Sequence, residues 1–373
     1  MIRFNDSKRG NNEVQKSDFI SQWMKCGTLV GKEGKELLIG YGKRTWLANP
    51  DPSQPSFYFP DFFLKDKTPW FVHEQTKSLP ITELLDQLNL KSELSASIKQ
   101  AHITWYSPDK DFFNRSFHII KQLIADGQLQ KAVPFIVESA ELLGRKIEDF
   151  QLMKSMRSIL KYALVNQAHL YGFWEKGKGV LGATPEVLFQ YNNKGLLNTM
   201  ACAGTKNIQE DSEDLLSDPK ELNEHELVVE GIKDALMPYG KVSVGKLRLL
   251  KLSKLMHLVT PLNLQIQSNV SFQEIIKALH PTPAVGAFPK NAGMEWLENY
   301  EKHLPRFRYG APVGYFLPGK WQSKCYVSIR CMQWREGVIQ IAAGVGVVQK
   351  SLFEKECAEI DLKLQAIKEM LSL

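Results

Sequence analysis

Three ionisable side chains near the carboxyl end of the chain have the spacing of a small binding site. Glu356, Glu359 and Lys363 lie in a stretch whose pattern predicts a helix. At about 100° per residue they fall within about 60° of one another, at the margin of the apolar face. Two carboxylates and an ammonium in that position suit a site for a metal ion and an anion. A simple ion pair between Glu359 and Lys363 on a solvated face is the alternative, and this stretch alone leaves both open.

A further carboxylate, Glu224, is predicted to face the interior. Asp218 is a predicted N-cap, a proline follows it at the first helical position, and the helix extends to about Leu236. Glu224 falls on the apolar face of this helix, whereas Glu226 falls on the solvated face. A carboxylate on an apolar face must be paired, protonated or bound to a metal. The alternative is that Glu224 lies in the first turn, where the helix N-terminus favours an anion.

Three other residues could take part in chemistry, although each alone has a simpler explanation. Lys131 opens a predicted strand over residues 130–139, in which Pro134 indicates an edge or a bulge. A lysine at a strand start is commonly a surface lysine. Glu186 follows a proline and could be a turn residue, and His257 lies in a predicted strand, where a histidine is more often a satisfied core residue than a ligand.

The elements that must position these residues alternate between strands and helices. A reverse turn at residues 335–337 separates two apolar runs, of which the first carries Arg330 and the second ends at Gly346. Two prolines and a glycine around His280 fix an irregular segment over residues 279–286, and such segments often line sites. We predict strands at 37–41, 56–63, 130–139, 169–174 and 179–183, and helices at 81–98, 111–125, 147–164, 219–236 and 292–300.

Composition excludes several classes of protein. The chain has 373 residues, enough for one large domain or two, and a net charge of +6 without the block of like charges that is typical of a nucleic-acid-binding arm. Its five cysteines are scattered without a CxxC pair, which argues against a disulfide framework or a thiolate zinc site and favours a reducing compartment. No signal peptide and no run of ~18 apolar residues is present. We therefore expect a cytoplasmic protein without a nucleic-acid or membrane partner.

Eight motifs, taken together and in order, resemble those of the chorismate-utilising enzymes. This family includes isochorismate synthase, salicylate synthase, anthranilate synthase component I and aminodeoxychorismate synthase. The motifs are GATPE at 182–186, AGT at 203–205, NEHELVVE at 223–230, MHLVTP at 256–261, LHPTPAVGAFP at 279–289, SIRC at 328–331, AAGVGVV at 342–348 and ECAEIDLK at 356–363. The resemblance covers roughly residues 110–373, and residues 1–109 match only loosely. It implies a single chorismate-binding domain over residues 1–373 with an α/β (α+β) fold, in which antiparallel sheets pack as a sandwich with helices outside.

Lys131 distinguishes members of this family that use water from those that use ammonia. Ammonia-using members usually carry Gln or Ala at this position and an Arg-Asn-Asp run in the glutamate-bearing helix, where this chain continues with residues 228–232, VVEGI. The chain therefore resembles isochorismate synthase most, with salicylate synthase as the nearest alternative and an ammonia-dependent aminating synthase with a glutaminase partner as another. A catalytically dead homologue that binds a dicarboxylate or a protein partner is the alternative from another class, and the intact ionisable set argues against it.

The resemblance also implies residue roles in a magnesium-dependent conversion of chorismate to isochorismate, for menaquinone or siderophore biosynthesis. Lys131, when neutral, matches the base that activates water for attack at C2, and Glu186 matches the acid that protonates the departing C4 hydroxyl. Glu224 and Glu359 match the family's Mg²⁺ ligands, and Glu356 supports them through water. The substrate-binding positions of the family match Gly204, His257, Ala284, Arg330, Gly344 and Lys363. We expect a monomer that needs no glutaminase partner.

Two positions depart from the family pattern. Cys202 stands where the family usually has Leu before AGT, and Val345 stands for the middle Ala of the glycine turn. Both changes are between apolar residues and alter volume without removing a charge. They bear on how the substrate fits and leave the expected reaction class unchanged.

Overall fold

The structure is a computed structural model that describes residues 19–93, 103–142, 147–192, 194–210, 212–266, 270–320 and 322–373. Its helices are numbered in chain order. They are α1 (Ile81–Glu93), α2 (Lys110–Ala125), α3 (Ile147–Val165), α4 (Ser212–Ser217), α5 (Pro219–Leu236), α6 (Phe272–Leu279), α7 (Lys290–His303) and α8 (Phe353–Leu371). Residues 19–25 are also helical.

The strands form one large antiparallel sheet and one short ribbon. They are β1 (Cys26–Gly31), β2 (Glu36–Leu47), β3 (Ser56–Tyr58), β4 (Trp70–Pro80), β5 (Ile103–Tyr106), β6 (Lys131–Ala132), β7 (Phe135–Leu142), β8 (His169–Glu175), β9 (Lys178–Thr184), β10 (Val187–Asn192), β11 (Leu196–Asn207), β12 (Val242–Val244), β13 (Arg248–Lys251), β14 (Leu255–Gln265), β15 (Ala287–Phe288), β16 (Pro312–Leu317), β17 (Gln322–Val327), β18 (Cys331–Arg335) and β19 (Val338–Gly344). Within the described residues, seventeen strands join into the large sheet, and β6 pairs with β15 in the ribbon. The expected α/β fold built on antiparallel pairing is confirmed.

The two largest hydrophobic clusters of the described residues pack helices against this sheet. In the first, α1, α3 and α8 pack on strands that include β1, β8, β9 and β19 through residues such as Leu84, Ile159 and Ile360. In the second, α5 and α6 pack on β11 and β14 through residues such as Ile232 and Ile275. Burying one such side chain contributes about 1.5–3 kcal/mol, so both helix layers are fixed to the sheet by many independent contacts.

The amino-terminal part of the chain belongs to the same sheet. β1 pairs with β2 and also with β8, in register from Cys26 opposite Glu175 to Val30 opposite Tyr171. All five cysteines of the chain are free thiols. Within the described residues, the helices are too short or too polar for any of them to span a bilayer.

Several helix predictions agree with the structure because local sequence signals set their ends. The helix predicted at residues 219–236 is α5, and its N-cap Asp218 accepts hydrogen bonds from the backbone N–H groups of Lys220 and Glu221. The helix predicted at 111–125 begins one residue earlier, at Lys110. The helix predicted at 81–98 is described as far as Glu93, and its predicted end lies outside the described residues.

Two strand predictions need correction, and a proline explains each. The strand predicted at residues 56–63 ends at Tyr58, two residues before Pro60. The strand predicted at 130–139 is divided into β6 and β7 at Pro134, which has no N–H for the ladder and accepts instead a bond from Val345 N at 3.2 Å. Arg330 lies in the break between β17 and β18 and not within a strand.

Candidate active site

The predicted site residues converge on one cavity of about 60 Å³, where the two helix layers meet. Eight of the eleven line it directly, namely Glu186, Gly204, Glu224, His257, Ala284, Arg330, Gly344 and Lys363. The other three, Lys131, Glu356 and Glu359, are connected to it through ion pairs. The cavity is small beside the ~300–1,000 Å³ of typical ligand pockets, so a ring-sized ligand requires its polar walls to move.

Lys131 is held in the interior by the short ribbon. It lies opposite Phe288 of β15, and the next residue bridges to Val347 beyond the end of β19. Its side chain is 0% exposed, so it is not the surface lysine that the sequence left open. The ammonium Nζ lies 3.1 Å from Glu224 Oε1 but makes no hydrogen bond of good geometry with any described residue. A buried ammonium with donors to spare can bind a further oxygen.

Gly346 makes the approach of Lys131 to Glu224 possible. A Cβ atom at this position would collide with Glu224 Oε1 and with Lys131 Cε. Any residue other than glycine would therefore separate the ammonium from the carboxylate. The sequence signal for this residue is its place in the Gly-Val-Gly turn, although we expected the neighbouring Gly344 to be the functional glycine.

Lys220, which the sequence did not single out, is the centre of a carboxylate cluster. Its Nζ lies 2.9 Å from Glu224 Oε2, 3.0 Å from Glu221 Oε1 and 3.1 Å from Glu356 Oε1. Burial would lower the pKa of Lys220, but the surrounding carboxylates outweigh it and raise that pKa, which keeps the ammonium charged. The signal in the sequence is that Lys220 precedes Glu224 by four positions and so shares its helix face.

The two lysines also determine the charge of Glu224. Burial alone would raise its pKa, but the ammonium groups of Lys131 and Lys220 outweigh burial and lower the pKa to about 2. Glu224 is therefore a carboxylate at every physiological pH. Its neighbours Glu221 and Glu356 are different, because burial together with the other carboxylates raises the pKa of each to about 7.

Helix α8 contributes the remaining ionisable groups at the cavity. Glu356 is 1% exposed, and its Oε2 has no hydrogen-bond partner among the described residues. The Glu359–Lys363 ion pair exists, at 2.6 Å, but it lies at the cavity and not on a solvated face. Lys363 also donates to the Gly344 carbonyl oxygen at 2.8 Å. The ion pair between Glu359 and Lys363 therefore exists, as one alternative proposed, and it lies at a candidate binding site, as the other proposed.

The carboxylate oxygens are of the type that binds a divalent cation, but they do not have the spacing of metal ligands. Glutamate oxygens are ligands that hard cations prefer, and the unpartnered Glu356 Oε2 leaves one of them available. Among the described residues, no group of three or more His, Cys, Asp or Glu side chains stands at metal-ligand spacing. Ammonium groups of Lys220 and Lys363 hold the carboxylate oxygens instead. The donor set fits a cation once these side chains rearrange.

Glu186 occupies a different environment in the same cavity. It lies between β9 and β10, is 2% exposed, and its backbone N–H donates to Thr184 Oγ1 at 3.2 Å. Burial raises its pKa to about 8, and Lys131 only partly opposes this. Thr282 Oγ1 lies 3.5 Å from Glu186 Oε1, a long contact. Glu186 is therefore a neutral carboxylic acid near pH 7, able to donate a proton.

Arg330 and His257 form a polar pair at the cavity wall. Arg330 has a positive φ of 58°, and its carbonyl accepts a bond from Ala183 N at 3.2 Å. Its Nη2 lies 3.4 Å from His257 Nε2, and His257 Nδ1 lies 3.1 Å from Thr205 Oγ1. The pKa of His257 lies well below its ordinary value. Burial is the largest cause, and the positive charges of Arg330 and Lys363 lower it further. A neutral imidazole therefore accepts from Arg330 at Nε2 and donates from Nδ1 to Thr205.

The remaining residues at the cavity are placed there by the course of the backbone. Gly204 has a φ of 78° at a bulge in β11, where the adjacent Thr205 N donates to Glu221 Oε2 at 2.9 Å. Ala284 lies in the proline-rich segment that we expected to line a site. His280 of that segment donates from Nε2 to the Phe62 carbonyl oxygen, 2.7 Å away, and is structural. Tyr309, which the sequence did not single out, lies against Gly344 in the wall.

Comparison with known proteins identifies the relatives of this chain. The family model described as "Chorismate binding enzyme" matches residues 69–372. The chain is 34% identical over 238 residues to the salicylate biosynthesis isochorismate synthase of Pseudomonas aeruginosa, an alignment that covers 61% of this chain and 48% of that protein. It is 28% identical over 271 residues to anthranilate synthase component 1 of Acetivibrio thermocellus, covering 69% of this chain and 52% of that protein. The chain thus spans about half the length of the curated relatives it matches.

A solved structure has the same fold. The menaquinone-specific isochorismate synthase of Escherichia coli superposes with a TM-score of 0.75 at 20% identity, over 95% of this chain and 91% of that one. At that identity the agreement concerns the fold. It extends to the amino-terminal strands, which the sequence motifs did not reach.

Proposed function

The chain belongs to the chorismate-binding enzymes, and from this premise we propose that it is an isochorismate synthase. Relatives named isochorismate synthase and anthranilate synthase component 1 match it at 34% and 28% identity, so the choice between them rests on the site. The observation that carries the proposal is Lys131, a lysine enclosed at 0% exposure beside a cavity that also contains a neutral acid, Glu186. A base and an acid in one cavity are what an exchange of hydroxyl groups requires.

Lys131 is proposed to take a proton from the water that attacks C2 of chorismate. A lysine acts as a base only in its neutral form, so the base must transfer its proton to solvent or substrate before each turnover. The open hydrogen-bonding capacity of Nζ supports this role, since Nζ makes no hydrogen bond of good geometry with Glu224. The Lys131 side chain is held from two sides, by the β6–β15 ribbon and by Gly346, which limits its freedom to drift from the water.

Glu186 is proposed to protonate the C4 hydroxyl as it leaves. Its raised pKa of about 8 supports this role, because a carboxyl that is neutral near pH 7 has a proton to give. The hydroxyl would otherwise depart as hydroxide, a poor leaving group. General acid catalysis of this kind contributes about 10²–10⁴-fold to a rate.

The remaining polar groups are proposed to bind the carboxylates of chorismate and a magnesium ion. Arg330 and Lys363 place two cations at the cavity wall, and a guanidinium can bind both oxygens of a carboxylate. Glu224 and Glu359 would hold Mg²⁺, with Glu356 in support, after their lysine partners move. When bound, the metal would neutralise a substrate carboxylate and orient the ring.

Product analysis tests the proposal most simply. We expect chorismate plus Mg²⁺ to yield isochorismate, with little salicylate and, when ammonium is present, little anthranilate. Chromatography of a timed reaction separates the three products. Salicylate as the main product would instead make the chain a salicylate synthase, and anthranilate would make it an aminating enzyme.

A further inference from the structure

We propose that Lys220 is the internal counter-cation of the magnesium site, which holds the carboxylates together before the metal binds and leaves Glu224 and Glu356 when the metal arrives. This inference rests on the proposed metal site and concerns a residue that neither the motifs nor the proposed catalytic set includes. Its basis is the position of one ammonium between carboxylates from two helices.

The geometry places Lys220 at the junction of α5 and α8. Its Nζ is within 3.1 Å of oxygens of Glu221 and Glu224 on its own helix and of Glu356 on the first turn of α8. All three carboxylates are at least nine-tenths buried. Without a cation between them they would repel one another in a poorly solvated interior. Lys220 therefore offsets the repulsion between the carboxylates at the junction of α5 and α8, as a bound divalent cation would also do.

A divalent cation at the oxygens of Glu224 would repel the ammonium groups that already lie beside them. Lys220 contacts Glu224 Oε2 and Lys131 lies beside Glu224 Oε1, so both oxygens of this carboxylate already face an ammonium. Magnesium requires oxygens at about 2.0–2.1 Å in a nearly octahedral arrangement. No three acidic, histidine or cysteine side chains of the described residues are at that spacing. Because like charges repel, we expect metal binding to displace at least one ammonium from Glu224.

Lys220 is the ammonium that can leave. Lys131 is 0% exposed and enclosed by the β6–β15 ribbon, whereas the side chain of Lys220 is 15% exposed at the start of α5. A four-carbon stem at the edge of solvent can swing outward without disturbing the core. Its departure also frees Glu356 Oε1, beside the Oε2 that has no partner. Both oxygens of Glu356 then become available to the metal or to its waters.

Calorimetric titration of the intact protein with MgCl₂, without chorismate, tests this exchange. The variant is Lys220→Met, which keeps the length of the side chain and removes the competing charge. The matched control is Lys233→Met on the exposed face of the same helix. We expect the Kd for Mg²⁺ to be about tenfold lower in Lys220→Met than in the wild type, equivalent to about 1.4 kcal/mol, and unchanged in the control. An unchanged or higher Kd in Lys220→Met overturns the inference.

Thermal unfolding provides the second measurement, because a lysine with a purely structural role would give a different result. In excess chelator, Lys220→Met should melt below the wild type, since three buried carboxylates have lost their cation. Saturating Mg²⁺ should close most of that gap. A gap that Mg²⁺ leaves unchanged means that Lys220 only stabilises the fold, and it overturns the inference.

The two proposals fail in distinguishable ways. If the wild type binds Mg²⁺ and forms isochorismate but Lys220→Met binds the metal no more tightly, only the role of Lys220 is wrong. If the wild type and Lys220→Met both fail to bind Mg²⁺ at millimolar concentration, the metal site is wrong and the role of Lys220 with it.

Discussion

Glu186 and Glu224 line one cavity and are both almost fully buried, yet their pKa values move in opposite directions. Burial raises the pKa of Glu186 to about 8. The same effect acts on Glu224, where the ammonium groups of Lys131 and Lys220 overcome it and lower the pKa to about 2. The difference shows that the neighbouring charges, more than the depth of burial, decide which carboxyl is neutral near pH 7 and which is ionised.

The supporting structure explains why the two carboxyls have different neighbours. Glu186 lies in a connection between two strands, where Thr282 is a distant polar contact. Glu224 lies on a helix that also carries Lys220, and Gly346 lets Lys131 approach it from the other side. One end of the cavity is therefore suited to giving a proton and the other to holding cations. The following predictions alter the cation-holding end, then Lys131, whose charge acts on both carboxyls, and then Glu186.

The largest effect should come from the cation-holding end. Glu224→Gln and Glu359→Gln should each lower kcat by at least about 10³-fold, because metal charge stabilisation is worth several kcal/mol. Excess chelator should abolish turnover of the wild type. The matched control, Glu226→Gln, changes a carboxylate on the solvated face of the same helix and should be nearly silent. Steady-state kinetics, with circular dichroism to verify folding, decides the matter, and full activity in chelator would contradict the metal site.

The next effect concerns Lys131, the lysine that lies beside Glu224. Lys131→Ala removes the proposed base and should lower kcat by about 10²–10⁴-fold while the substrate still binds. Lys131→Arg keeps the charge but cannot deprotonate near neutral pH, so it should be about as poor. An arginine variant that retains more than about a third of the wild-type kcat rules out the base, since that loss is far below one decade. On the alkaline side, wild-type activity should fall above about pH 8 as Glu186 loses its proton.

The smallest effect is on stability and depends on pH. The pKa of Glu186 is about 8 in the folded protein and near 4.5 when unfolded, so the wild type should lose stability as pH rises through this interval. Glu186→Gln has no group that titrates at this position, so its Tm relative to that of the wild type should increase between pH 5 and pH 8. The increase reflects about 1.4 kcal/mol of unfolding free energy for each pKa unit of the shift. Glu224, whose folded pKa is about 2, loses its contribution only below about pH 4.5.

Glu224→Gln therefore serves as the comparison in the same experiment. Between pH 5 and pH 8 its Tm relative to the wild type should change less than that of Glu186→Gln, because Glu224 is ionised in both states and only its influence on Glu221 and Glu356 remains. Thermal melts of the three proteins in the presence of chelator provide the measurement. If the Tm difference from the wild type changed with pH in the same way for both variants, the pKa values of Glu186 and Glu224 would not differ in the way described.

Local signals predicted the parts of this structure that local chemistry controls. Asp218 and the proline after it fixed the start of α5, and the 3.6-residue period placed Glu224 on its buried face and Glu226 on its exposed face. Lys363 was correctly placed beside Glu359 by the same period. These features depend on residues within one or two helical turns.

Features that depend on distant pairing could not be predicted in this way. Arg330 lies between strands because β17 pairs with β16 and β18 with β9, which no local pattern reveals. The burial of Lys131 depends on a ribbon with β15, far along the chain. Lys220 resembles an ordinary helix-start lysine until α8 brings Glu356 to it. The resemblance to a family identified Lys131, but it gave no indication of Lys220.

The central claim, that one cavity holds a neutral carboxylic acid and an ionised carboxylate, is tested most directly by titrating the two carboxyls. ¹³C NMR of protein labelled at the glutamate side-chain carboxyl, with Glu186→Gln and Glu224→Gln to assign the signals, follows each group separately. We expect the Glu186 signal to titrate near pH 8 and the Glu224 signal to stay that of a carboxylate down to about pH 4. A Glu186 signal that titrates at or below that of Glu224 would contradict the account.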